Sequence, residues 1–141
     1  MPLTHALTAL AGLIVLAAAA GILWRVLDGR RRRTRGAAVS LDELGVTGAR
    51  AVLVQFSTET CARCPQVRRM LRAAASALPG VAFAEVDLTH RPELAARHRI
   101  LTTPTTFVLA PDGTVSARFA GVPRRPDIDA ALAELPALQE A

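Results

Sequence analysis

From Ala6 to Trp24 the chain carries no charged residue and is built almost wholly of Ala, Leu, Ile and Val. As a helix rising about 1.5 Å per residue, this run reaches roughly 28 Å, close to the hydrocarbon thickness of a bilayer. The pattern predicts one membrane-spanning helix within residues 1–27. Beyond residue 50 the apolar positions recur at other periods. Residues 51–56, AVLVQF, are a short β-branched run expected as a strand buried on both faces. Val67, Met70, Leu71, Ala74 and Leu78 follow at helical spacing with Arg68, Arg69 and Arg72 on the other side, and Pro79 and Gly80 mark the stop.

Residues 81–88 alternate as a strand does, and Pro92 opens a short helix over ELAARH. Residues 105–110 and 114–120 flank Asp112-Gly113, a turn pair that favours an antiparallel hairpin. A final helix over 126–135 places Ile128, Leu132 and Leu135 on one face. Ahead of the first strand, Ser40 and Glu43 form an S-x-x-E capping pattern, so one helical turn is expected there, pinned by Leu41 and Leu44. The expected fold class is α/β: a parallel βαβ half joined to an antiparallel hairpin in one mixed sheet flanked by helices. The expected organisation is a transmembrane anchor at 1–27, an Arg-rich juxtamembrane linker at 28–39 and one globular domain at 40–141.

Charge changes the picture through its location. The net charge is +5 and all 17 basic residues are arginine, yet Arg25, Arg30, Arg31, Arg32, Arg33 and Arg35 follow the apolar run directly. The remainder of the chain is balanced. With four Phe, one Trp and no Tyr, it offers neither a basic stripe on the domain nor stacking platforms, which argues against nucleic acid as a partner. A cleaved signal peptide would need positive charge before its apolar core, whereas here only the amino terminus and His5 precede it. Arginines on the carboxyl side of a span stay cytoplasmic, so the expectation is a single-pass cell-membrane protein with its carboxyl-terminal domain in the cytoplasm, the extracytoplasmic placement being the alternative. Trp24 then lies at the inner interface.

The stretch FSTETCARCPQVRRML holds both cysteines, Cys61 and Cys64. A zinc site needs four ligands and typically a second CxxC or a closely spaced histidine pair; His90 and His98 are too far apart in sequence to supply one, so no metal is expected. Two inert core thiols are the plain structural alternative, but polar Ser57 to Thr60 before them and Arg63 between them make a poor core. In the redox reading both cysteines sit on the first turn of the helix. The partial positive charge of a helix amino terminus, with Arg63 beside it, favours the Cys61 thiolate as nucleophile, and Cys64 one turn on resolves the mixed disulfide.

These residues resemble the thioredoxin family over roughly residues 40–138: strand, CxxC with a following Pro65, helix, and a Thr103-Pro104 pair before a hairpin. The resemblance implies a thioredoxin fold, and a thiol-disulfide oxidoreductase acting on protein thiols and disulfides. It implies a cis Thr103-Pro104 bond facing the cysteines, a Thr103 backbone that receives an extended substrate peptide, and Gly121 leaving room for it. It implies no cofactor beyond the redox-active Cys61-Cys64 disulfide, and as partners a reductase or membrane electron donor. Thr60, Ala62, Arg63 and Gln55 depart from the family's Trp, Gly, Pro and buried Asp. The family's first strand and helix are expected to be reduced to the SLDELG turn. The alternative from another class is a tethered, non-catalytic peptide-binding module.

Overall fold

The computed structural model describes residues 2–27, 31–32 and 37–140. Most of the expected linker, with the side chains of its arginine cluster, lies outside the described residues.

Helix α1 runs over Pro2–Leu27, and its stretch Thr4–Trp24 is long and apolar enough to cross a membrane, with none of it buried against the rest of the chain. After it come β1 (Arg31–Arg32), β2 (Ala51–Ser57), α2 (Cys64–Ser76), β3 (Val81–Asp87), α3 (Pro92–Arg97), β4 (Thr105–Leu109), β5 (Val115–Ala120), α4 (Arg125–Ala133) and α5 (Pro136–Gln139). The sheet order is β1-β5-β4-β2-β3. β2 and β3 are parallel, joined through α2, while β2–β4, β4–β5 and β1–β5 are antiparallel. This is the expected thioredoxin fold.

β2 lies inside the sheet between β4 and β3, and all seven of its residues are buried, as a mostly apolar run between two covered faces requires. On one face Leu53, Val108 and Phe119 pack under Val67, Leu71 and Ala74 of α2 and Ile128 and Leu132 of α4. On the other, Val52, Val54, Phe56, Phe107 and Leu109 pack with Leu94 of α3 and with Leu41 and Leu44. Phe56 and Phe107 meet edge to face at 4.9 Å, the geometry that aromatic quadrupoles favour.

Four boundaries differ from the sequence expectation. α2 starts at Cys64, with Arg63 at its cap position, so Cys61 precedes the helix in a turn closed by Cys64 N–H donating to the Cys61 carbonyl at 3.2 Å. The same helix ends at Ser76, before Pro79, and Leu78 is exposed rather than part of the apolar stripe. Residues 41–45 form a hydrogen-bonded turn instead of a helix, and only half of the capping box is made, Glu43 N–H donating to Ser40 Oγ at 3.4 Å. The helix expected over 126–135 is α4, which stops at Ala133. Pro136 cannot donate to a continuing ladder, and Leu135 becomes the cap of α5.

The chain before β2 also pairs with the sheet. Arg31 and Arg32 lie opposite Phe119 and Arg118, Ala38 bridges Thr114, and Val39 N–H donates to Gly113 at 3.0 Å. Gly113 has φ +82°, and a Cβ there would stand 2.3 Å from the Val39 carbonyl oxygen, so the Asp112-Gly113 turn needs glycine twice over.

Candidate redox site

Cys61 and Cys64 are joined in a disulfide at the amino-terminal end of α2. Buried β2 delivers the chain to the edge of the sheet, the polar segment 58–60 turns it, and α2 carries Cys64 back under cover. The two sulfurs therefore differ in access. Cys64 is 1% exposed, whereas Cys61 is half-buried. Pro65 occupies the first turn of α2, where its missing N–H costs nothing. Arg63 stands exposed between the cysteines.

Beside the disulfide lies a cleft of about 390 Å³, lined by Ser57, Thr58, Glu59, Cys61, Cys64, Pro65, Arg68, Glu85 and Asp87. Glu85 accepts hydrogen bonds from Ser57 Oγ at 2.9 Å and from Arg68 Nη2 at 2.6 Å and Nε at 2.7 Å. Burial opposes ionisation of Glu85, but the bonds from Arg68 and Ser57 outweigh it and hold the carboxyl below its usual range. The Thr89 backbone N–H does the same for Asp87, at 2.8 Å.

Below Cys64, Gln55 is fully buried and its Nε2 donates to the Cys64 carbonyl at 2.9 Å. Its Oε1, and the hydroxyl of Thr106 opposite it in the β2–β4 register, have no hydrogen-bond partner among the described residues. Gln55 thus ties the start of α2 to the sheet, and being an amide it cannot act as a general acid or base toward Cys64.

The Thr103-Pro104 peptide bond is cis, Pro104 is buried, and the Pro104 carbonyl accepts from Gly121 N–H at 2.8 Å. Gly121 has φ +85°. These three residues do not line the cleft; they join the site where the hydroxyls of Thr103 and Thr58 meet at 3.3 Å. Next to them Leu101 is 95% exposed. The sequence reading singled out Cys61, Cys64, Arg63, Thr103, Pro104 and Gly121, and missed the Arg68–Glu85 pair. A signal for it existed: Glu85 falls on the same strand face as Val81 and Phe83, where α2 and its arginines lie. Glu59, Asp87 and His90 also cluster at the rim of the cleft, His90 Nε2 lying 2.9 Å from Glu59 Oε1.

The fold and the site agree with the comparisons. The family model described as Thioredoxin matches residues 42–134. A Streptomyces coelicolor protein described as "Putative thioredoxin 2" is 33% identical over 78 residues, which are 55% of this chain and 58% of that protein. The matched stretch therefore spans under two thirds of that relative. Among solved structures, a Fasciola hepatica thioredoxin superposes with a TM-score of 0.57 at 26% identity, covering 67% of this chain and 90% of its own. A mutant thioredoxin of Halobacterium salinarum superposes with 0.57 at 20% identity, covering 67% and 82%. A thioredoxin domain with a CxxC disulfide at the head of its helix supports thiol-disulfide oxidoreductase chemistry in general, and by the match of its family model over 42–134 the chain belongs to the thioredoxin family.

Proposed function

We propose that this protein is a membrane-tethered thiol-disulfide oxidoreductase. The observation that carries the reading is the asymmetry of the disulfide, with Cys61 accessible and Cys64 buried at the head of α2. In the reduced protein the Cys61 thiolate attacks one sulfur of a substrate disulfide, and the other substrate sulfur leaves as a thiolate. Cys64 then passes its proton to the released substrate thiolate and attacks Cys61 Sγ, displacing the second substrate sulfur as a thiolate and forming the Cys61–Cys64 disulfide. Two electrons pass to the substrate, and the reverse sequence oxidises a dithiol. Arg63, at the cap of α2 and between the two cysteines, favours the thiolate at Cys61 by its charge. Thr103, Pro104 and Gly121 border the site on the side of Thr58, where an extended substrate strand would lie.

The length and apolarity of Thr4–Trp24 support the tether, and the arginines that follow support a cytoplasmic domain. On that side the glutathione pool keeps the pair reduced, which makes it a donor of electrons to protein disulfides, recharged by a reductase or a membrane electron donor.

The test is equilibration of the full chain in detergent against glutathione buffers, read by alkylation and mass. A reversible two-electron transition is expected, and Cys64→Ser should accumulate a mixed disulfide at Cys61 that Cys61→Ser does not form. No reversible disulfide at any poise would leave the tethered binding module as the function.

A further inference from the structure

The two edges of the sheet are treated differently. The free side of β5 is occupied by the chain's own β1 and by the Ala38–Thr114 bridge, with Val115 N–H donating to Ala37 at 2.9 Å. β3 pairs with β2 on one side, and no described segment pairs with the other.

The direction of its backbone groups follows from the ends of the ladder. Leu88 N–H donates to Ser57 at 2.8 Å and the Gly80 carbonyl accepts from Ala51 at 3.2 Å. In a parallel pair alternate residues turn both groups to the same neighbour. Even-numbered residues of β3 therefore bond β2, and Val81, Phe83, Glu85 and Asp87 turn theirs outward. The edge is seven residues long with no proline, and every residue except Val86 is half-buried. Natural edges are usually blunted by proline, charged side chains, a bulge or a cover. Among the described residues β3 has no proline, bulge or pairing cover, and of its two charges Glu85 is already paired with Arg68 of its own chain.

We propose that this edge pairs with β3 of a second copy of the chain, antiparallel about a two-fold axis at Ala84. An axis perpendicular to the sheet preserves the faces. Phe83 of one copy then exchanges backbone bonds with Glu85 of the other, Val81 faces Asp87, and the two Ala84 residues form the central pair without hydrogen bonds.

The side chains complement each other in this register. The Arg72 guanidinium lies 5.3 Å from the centre of the Phe83 ring, so Glu85 of the second copy meets an arginine-capped aromatic. Each Glu85, already bonded to Arg68 of its own chain, gains Arg72 of the other. Sliding the register to set Glu85 opposite Glu85 places like charges face to face, which antiparallel pairs disfavour. The surface is thus self-complementary in one register, as a two-fold interface requires.

The test uses the full chain in detergent, with Cys61→Ser and Cys64→Ser removing native thiols, and adds Ala84→Cys or Ala82→Cys singly. Cβ atoms of a central pair without hydrogen bonds are close enough to cross-link, while Ala82 faces Val86 of the other copy. Ala84→Cys should give covalent dimer at least about tenfold faster than Ala82→Cys. Equal rates, or no dimer from either, would overturn the proposal. In the otherwise native chain, Ala84→Lys opposes two ammonium groups at the axis and should raise the dimer dissociation constant about tenfold in sedimentation equilibrium, with the melting temperature reporting that the fold is intact. A native chain that is monomeric at all concentrations, or pairs only when an extended peptide is supplied, removes the second copy as the occupant.

Discussion

Helix α1 and strand β2 are both apolar nearly throughout, yet they meet opposite surroundings. Leu13, Ile14, Val15 and Leu16 stand exposed on α1, while every residue of β2 is buried between two layers of side chains. Apolarity alone does not say which solvent a segment belongs to. Length and neighbours do: a seven-residue strand cannot span a bilayer but fits the inside of a sheet, whereas α1 is 26 residues long and none of its stretch Thr4–Trp24 is buried against the rest of the chain. The two regions should therefore fail independently.

The largest effect is expected from Leu13→Arg with Leu16→Arg, each costing about 3 kcal/mol at the centre of a membrane helix. The chain should leave the membrane fraction while the domain's melting temperature and disulfide chemistry stay put. Retention in carbonate-washed membranes would break the comparison.

Leu71→Ala is the converse experiment. It empties a fully buried position on the sheet-facing side of α2 and should cost about 2–5 kcal/mol in denaturant unfolding, with membrane association unchanged.

Gly113→Ala probes the place where the segment leading out of α1 is stitched to the hairpin. The added methyl meets the Val39 carbonyl at a positive φ, and a loss on the order of 2 kcal/mol is expected from the melting curve. A change within error would mean that residues 38–39 are not held against Gly113 in solution.

The smallest effect should come from acid. Asp112 accepts hydrogen bonds from the Thr114 backbone N–H and hydroxyl, both at 2.9 Å, which hold its carboxyl below the usual range. A carboxyl lowered in the folded state contributes stability above its ordinary pKa near 3.8 and loses it as pH falls through the lowered value. Asp112→Asn should thus lower the melting temperature slightly at neutral pH and converge with the parent in strong acid.

Much of the fold was readable because its signals are local. The helical spacing of Val67, Leu71 and Ala74, the alternation in residues 81–87 and the Asp112-Gly113 turn each depend on neighbours a few positions away. Boundaries were less readable. The start of α2 at Cys64 instead of Cys61 is set by how the polar turn 58–63 leaves the sheet, and its end at Ser76 by the turn bond of Leu78 N–H to the Ala75 carbonyl at 3.3 Å. For the site, cysteine spacing pointed to the redox pair, but the Arg68–Glu85 pair that borders it joins residues 17 positions apart. That meeting required α2 to pack on β3.

By itself the sequence determined the main helices and strands from α1 to α4, which long apolar run has the length of a bilayer, and where the paired thiols fall, since period, length and turn chemistry act between residues close along the chain; it did not show β1 or α5. Only the tertiary structure decided that Cys64 is covered while Cys61 keeps partial exposure, that Arg31–Arg32 and Ala38 close one edge of the sheet, and that β3 leaves the other edge open among the described residues. Strand pairing is a competition among distant segments for the same N–H and C=O groups, and its outcome depends on the positions of all the strands at once.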